Sequence, residues 1–252
     1  MGRWPLVVAA AVAVSLAVWG GLDILNAVFT GTLIVLFPVV AVVQLRLVDL
    51  TTLPRRAAYL NSMTTILALG LVALGLGVWR FGTVGLGLVW PGTTSFVGWS
   101  LGLTAAGMAI VFAFVALRRG LGLHESDFLR HMLPRNTEDR RLFALLSLSA
   151  GIGEELVFRS YLIAVLAVVL RDPWLAASAA AVLFAAVHAY QGPVGLVRTA
   201  VLGVVLATPL LILGSIWPAI VAHTAIDLFG GLVFAERLVD PPIAQEGAFD
   251  GN

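Results

Sequence analysis

Cysteine is absent from the 252 residues, which excludes disulfides, thiolate nucleophiles and cysteine-ligated zinc or iron–sulfur sites together and leaves the redox compartment open. Lysine is absent too: all fifteen basic residues are arginine, a usage that points to coding bias and carries no function. Charge of either sign is scarce. Only 12% of residues are charged and 60% are hydrophobic, with a mean hydropathy of +1.01, against about 25% charged in soluble globular domains. A net charge of +1 with no basic stripe excludes nucleic acid as a partner. No internal repeat is visible, so the inverted-repeat architecture of many secondary transporters has no support. The composition describes an all-α, polytopic transmembrane helical bundle whose first partner is the lipid bilayer.

Apolar runs bounded by charge, glycine or proline divide the chain into about eight spans of the ~20 residues that a ~30 Å hydrocarbon core requires. They are placed at 5–21, 26–45, 60–79, 97–117, 142–170, 174–190, 199–214 and 217–236. The first has no clear small-residue cleavage site before Asp23 and is followed at once by another apolar run, so it reads as a retained helix and not as a secretory signal. The seventh is short and contains Pro209, which predicts a broken or tilted helix. Four parts follow: N-terminal transmembrane helices over 1–117, a charged cytoplasmic or interfacial connection over 118–141, a transmembrane core over 142–236, and a disordered polar tail over 237–252.

Arginine placement orients the bundle. Twelve arginines, from Arg3 to Arg237, fall on the N-terminal side and only Arg80 and Arg171 on the other. The positive-inside rule then expects a multi-pass cell-membrane protein with both termini cytoplasmic, an even span count being required for the second. In the 118–141 connection, Leu123, Phe128, Leu129 and Met132 share one face of an interfacial helix, or the segment is a solvated loop in which His124 and His131 are surface residues.

Against this apolar background a few ionisable residues stand out. Ser149-Ala-Gly-Ile-Gly-Glu-Glu-Leu-Val-Phe-Arg159 places two carboxylates and a guanidinium inside a span, where an ionised carboxylate costs on the order of 2.5–3.5 kcal/mol or more. Glu155 and Arg159, four apart, face each other on a helix and form a self-satisfying structural pair. Glu154, rotated by about 100°, has no partner in its own helix, which suits a general base tuned by an apolar site. Two later spans carry His188, one turn after Phe184, and His223 with Asp227, again four apart, so that the carboxylate can orient the imidazole. Each alone reads as an interhelical hydrogen-bonding group; together, bilayer-embedded groups on separate helices must find one another or a water-filled cavity. Gly151 and Gly153 allow a neighbouring backbone close to the glutamates.

The ordered trio Glu154-Glu155-Leu-Val-Phe-Arg159, Phe184-Ala-Ala-Val-His188 and His223-Thr-Ala-Ile-Asp227 resembles the intramembrane proteases that group type II CAAX prenyl endopeptidases with bacteriocin-processing and immunity proteins. The resemblance covers about residues 142–230. It implies a peptide hydrolase acting on a membrane-associated peptide or protein, with Glu154 activating a water, His188 assisting, and His223 with the residue at 227 stabilising the oxyanion. Glu155, Arg159 and Phe184 fall into structural or orienting roles. Those prenyl endopeptidases usually have asparagine where this chain has Asp227, so an orienting role towards His223 is expected here instead. The resemblance also raises a metal question: Glu154, His188 and His223 are a potential three-ligand zinc set, but without the His-Glu-x-x-His spacing, and a metal-free mechanism is preferred. Two other classes compete, a non-catalytic scaffold or immunity-type binding protein and a proton-coupled transporter. Depth opposes the trio, since straight helices put Glu154 roughly 20 Å into its span with His188 near one end of the sixth span and His223 nearer the opposite side. A broken seventh span that starts the eighth deep, at Pro218, is the expected remedy.

Overall fold

The computed structural model of the protein describes residues 4–47, 53–124 and 126–238. Among these the chain is helical, without strands. The helices are α1 (Trp4–Val18), α2 (Ile24–Gly31), α3 (Phe37–Leu47), α4 (Arg55–Gly85), α5 (Thr93–Gly120), α6 (Asp127–Met132), α7 (Thr137–Glu154), α8 (Ile163–Leu170), α9 (Pro173–Val187), α10 (Gly192–Leu213), α11 (Trp217–Leu228) and α12 (Ala235–Leu238). Wider π-helical stretches make α2 continuous with α3 (Thr32–Leu36) and α7 with α8 (Glu155–Leu162). Among the described residues four helices are long and apolar enough to cross a membrane, Ile24–Val43, Arg55–Gly85, Thr93–Gly120 and Ala189–Leu213, while Trp4–Val18, Pro173–Val187 and Trp217–Val233 are apolar but shorter.

Local chemistry explains where these helices begin. Asp23 accepts from the Asn26 amide at 3.0 Å, Asn136 from that of Asp139 at 2.9 Å, and Asp172 from those of Trp174 and Leu175 at 2.8 and 2.9 Å. Each satisfies an amide that a helix start leaves without a partner. Pro173 and Pro218 occupy first-turn positions, where a missing N–H costs nothing.

The seventh span is not broken. It is an unbroken helix of 22 residues, α10, with Pro209 inside it. Proline removes the amide that would bond the carbonyl four residues back; the Thr208 hydroxyl takes over that carbonyl, on Val205, at 2.7 Å. The helix also starts earlier than 199, because Gly192, at φ +76°, turns the chain directly into it.

The structure levels the polar groups by a different route. Helix α9 has only 15 residues, about 22 Å at 1.5 Å per residue, less than the ~30 Å hydrocarbon thickness. His188, at its end, therefore stops short of a full crossing. Helix α11 is shorter still, 12 residues before its own π-helical turn.

The π-helical stretch lies at the centre of the packing. Its Phe158, Tyr161 and Leu162 are buried with Ala176, Ala177 and Ala180 of α9. A buried polar clasp joins it to α2: the Tyr161 hydroxyl donates to Asn26 Oδ1 at 2.9 Å and lies 3.0 Å from Thr30 Oγ1. Ser160 Oγ donates to the Leu86 carbonyl at 2.7 Å, and the Ile216 amide to that of Gly87 at 2.9 Å. The α4–α5 turn thus anchors both the π stretch and the entry to α11. The two glycines before the glutamates accept two different helices. A side chain at Gly153 would lie 2.7 Å from the Ile66 carbonyl of α4, and one at Gly151 2.9 Å from the Ile220 carbonyl of α11.

The 118–141 connection does not present its apolar face outward. Phe128 meets Tyr190, and Leu129 and Met132 line a cavity inside the bundle, with Leu123 exposed. His131 is tied in as well: its Nε2 is 3.1 Å from the Leu53 carbonyl, and its own carbonyl accepts from Arg55 Nε at 2.7 Å. At the far end, Arg237 and Leu238 belong to α12. Arg3 and the tail from 239 lie outside the described residues.

Candidate active site

Glu154 closes α7, and Glu155 opens the π-helical stretch. π-helical segments inside α-helices occur frequently at functional sites. Here the widened turn still brings Arg159 Nη1 to 2.9 Å from Glu155 Oε1. Glu155 is fully buried and Arg159 is 2% exposed. The guanidinium also lies over the Phe184 ring, 4.1 Å from its centroid, a cation–π contact that desolvation strengthens.

The pair does not satisfy only itself. Glu155 Oε1 also receives His223 Nδ1 at 2.7 Å. This is the hydrogen bond that the four-residue spacing assigns to Asp227; Asp227 Oδ2 instead lies 3.7 Å from the opposite ring nitrogen, Nε2. The arm that fixes the His223 ring therefore comes from a different helix, and helical spacing carries no signal for it.

Glu154 faces both imidazoles. Its Oε2 is 3.7 Å from His223 Nε2 and 3.9 Å from His188 Nε2. The straight-helix picture keeps these groups apart; the structure brings all three together. His188 Nδ1 lies 2.7 Å from the Phe184 carbonyl. A carbonyl only accepts, so Nδ1 carries a proton and the ring turns its Nε2 towards Glu154. A carboxylate likewise only accepts, so His223 Nδ1 is protonated as well. Both rings are held by one nitrogen and directed at Glu154 by the other, and Phe184 packs beside both, 4.4 Å from His188 and 6.1 Å from His223 between centroids.

His188, His223 and Asp227 open onto a cavity of about 190 Å³. Its remaining wall is apolar, from α5, α6, α7, α9, α10, α11, the π-helical turn after α11 and α12, apart from Gln191, Arg198 and Thr199. Gln191 Oε1 accepts from Arg198 Nη2 at 3.0 Å and Thr199 Oγ1 at 2.9 Å. These three polar residues carry no motif; Arg198 is legible only as a connection charge.

The zinc reading can be tested on this donor set. A tetrahedral zinc with ligand bonds of about 2.0–2.1 Å requires donor atoms about 3.3 Å apart. The separations of 3.7 and 3.9 Å exceed that, and among the described residues no group of three His, Asp or Glu side chains is disposed to hold a metal ion. As arranged, these residues do not fit a zinc.

Residues 138–229 match the family model for type II CAAX prenyl endopeptidase, Rce1-like. The matched stretch contains Glu154, Glu155, Arg159, Phe184, His188, His223 and Asp227, and excludes α1 to α6. No curated protein and no solved structure matches the chain.

Proposed function

We propose that this protein is an intramembrane endopeptidase that hydrolyses a peptide bond of a membrane-associated protein or peptide with a water activated by Glu154. The observation that carries the reading is Glu154 Oε2 facing two imidazole Nε2 atoms at 3.7 and 3.9 Å while both Nδ1 atoms are committed elsewhere. Such separations are too long for direct hydrogen bonds and suit a bridging oxygen. The match to the prenyl endopeptidase family supports a protease-like function in a membrane.

In this reading Glu154 removes a proton from the water as its oxygen attacks the scissile carbonyl, and His188 Nε2 accepts the water's second hydrogen bond. The carbonyl carbon gains a bond to oxygen, and its own oxygen becomes an oxyanion. The His223 imidazolium, held at Nδ1 by Glu155, donates from Nε2 to that oxyanion, a donor fixed where charge develops. The carbon–nitrogen bond then breaks as Glu154 returns its proton to the leaving amine. Asp227 balances the imidazolium across 3.7 Å. The 142–236 core carries the chemistry, and the arginine bias supports a multi-pass cell-membrane protein with both termini cytoplasmic.

The test compares purified wild-type protein with Glu154→Gln in bilayers against a library of membrane-associated peptides, with and without a chelator. Loss of cleavage by about 10²–10⁴-fold in the variant is expected for a removed general base, with no effect of chelator on the wild type. Cleavage unaffected by the substitution removes Glu154 from the mechanism. Loss with chelator, restored by zinc, replaces the metal-free scheme. Partner capture without cleavage, indifferent to both changes, establishes a scaffold instead.

A further inference from the structure

His188 is the less firmly held of the two imidazoles. It sits just past the end of α9, at φ −97° and ψ 17°, and its side chain makes one hydrogen bond, to a carbonyl of its own helix. Ring contacts supply the rest of its seat: Phe184 at 4.4 Å and Tyr190 at 5.6 Å between centroids. Tyr190 in turn packs on Phe128 of α6, at 5.1 Å. The short helix α6 has no fully buried residue and is tethered at its far end, where the His131 and Met132 carbonyls accept from Arg55 Nε and the Tyr59 hydroxyl. The same helix contributes Leu129 and Met132 to the cavity wall. A row of three rings thus runs from the α6 wall of the cavity to the histidine beside Glu154.

We propose that Tyr190 is a positioning residue for His188, and that its ring passes the seating of α6 over the cavity to that histidine. The inference deepens the proposed role of His188, since an occupant pressing on Leu129 or Met132 changes the Phe128–Tyr190 contact and with it the aim of His188 Nε2. The ring of Tyr190 is the working part; among the described residues its hydroxyl has only a long contact, 3.5 Å from Gln191 Nε2.

Carbethoxylation of individual histidines by diethyl pyrocarbonate, read by peptide mass spectrometry on the full chain in bilayers, tests this without reference to cleavage. Tyr190→Leu is expected to speed modification of His188 by about threefold to tenfold, the span an aromatic contact's energy allows. Tyr190→Phe is expected to leave it unchanged. Phe128→Ala is expected to speed it as well, and the double variant Phe128→Ala/Tyr190→Leu to add nothing to Tyr190→Leu alone, because coupled contacts are not additive. His223 should react at an unchanged rate throughout. A folded Tyr190→Leu protein with wild-type reactivity at His188 overturns the proposal, as does an effect of Tyr190→Phe equal to that of Tyr190→Leu. If Tyr190→Leu does not fold, Phe128→Ala decides: unchanged His188 reactivity overturns the coupling. Retained cleavage in Glu154→Gln would remove Glu154 from the mechanism, and no cleavage by the wild type would sink the protease reading; either result leaves these rates untouched.

Discussion

Two buried carboxylates, each with arginine, sit at the two ends of α7 and are used differently. Asp139, in the first turn at the arginine-rich end, accepts from Arg55 Nη1 at 3.1 Å, Arg56 Nε at 3.4 Å and the Arg135 amide at 3.3 Å. Both of its oxygens are spent. Glu155, just past the other end, gives one oxygen to Arg159 and His223 and keeps Oε2 without a hydrogen-bond partner. Buried polar groups are normally satisfied, and a native exception calls for a reason. Asp139 is a completed clasp between α4 and α7. Glu155 is shared with an imidazole that faces Glu154, and its incompleteness falls where the chemistry is proposed.

Removing each carboxylate separates the two most sharply. In Glu155→Ala, Arg159 is left as a buried charge without its ion-pair partner, and breaking a buried pair in this way costs about 3–5 kcal/mol. In Asp139→Ala, Arg56, 48% exposed in its side chain, already reaches water, while Arg55, 12% exposed, keeps its bond to the His131 carbonyl, and the cost is expected to be about 1–2 kcal/mol. Denaturant unfolding in detergent measures both; equal costs would erase the distinction. Glu155→Gln adds a readout on function, because an amide leaves His223 without an ionised acceptor and should depress cleavage along with stability.

pH provides the next, smaller separation. Burial pushes the Asp139 carboxyl up, but the Arg135 amide and the Arg56 and Arg55 guanidinium groups outweigh it and hold the carboxyl below its ordinary value. A carboxylate whose folded value is depressed contributes stability that is fully present above the unfolded value of about 3.9 and is lost as pH falls through the folded one. Asp139→Asn should therefore melt below wild type at pH 7, and the gap should close on acidification below pH 4. A gap independent of pH would mean that shape, not charge, makes this clasp.

The same contrast marks what the sequence reveals. Helical character, apolar spans and the ion pair of Glu155 with Arg159 follow from composition and a four-residue interval, because those signals are local. The convergence of Glu154, His188 and His223 is legible as a set of polar residues that must meet in a bilayer, but not as a geometry. That geometry depends on α9 being only 15 residues long and on the π-helical stretch starting at Glu155. The 174–190 span already reads as a short one, but the π-helical start has no composition signature. Pro209 misleads because a neighbouring threonine repairs the hydrogen bond it breaks, and the hold of Glu155 on His223 spans 68 residues, beyond any spacing argument.

Asp227 gives the smallest expected effect and the finest test of the comparison. Its side chain is 38% exposed and meets His223 only at 3.7 Å, so it is neither a completed clasp nor a shared one. Asp227→Asn removes a charge without changing shape and should move stability by no more than about 0.5 kcal/mol, as exposed substitutions do. The Glu155 bond to Nδ1 continues to orient His223, and a neutral amide can donate to the oxyanion that an ionised carboxylate repels. Cleavage is therefore expected to be retained or raised. A loss beyond about tenfold, worth 1.4 kcal/mol, would show that the His223 imidazolium needs a second carboxylate beside Glu155, and that the charge at 227 belongs with the shared group and not with the surface of the cavity.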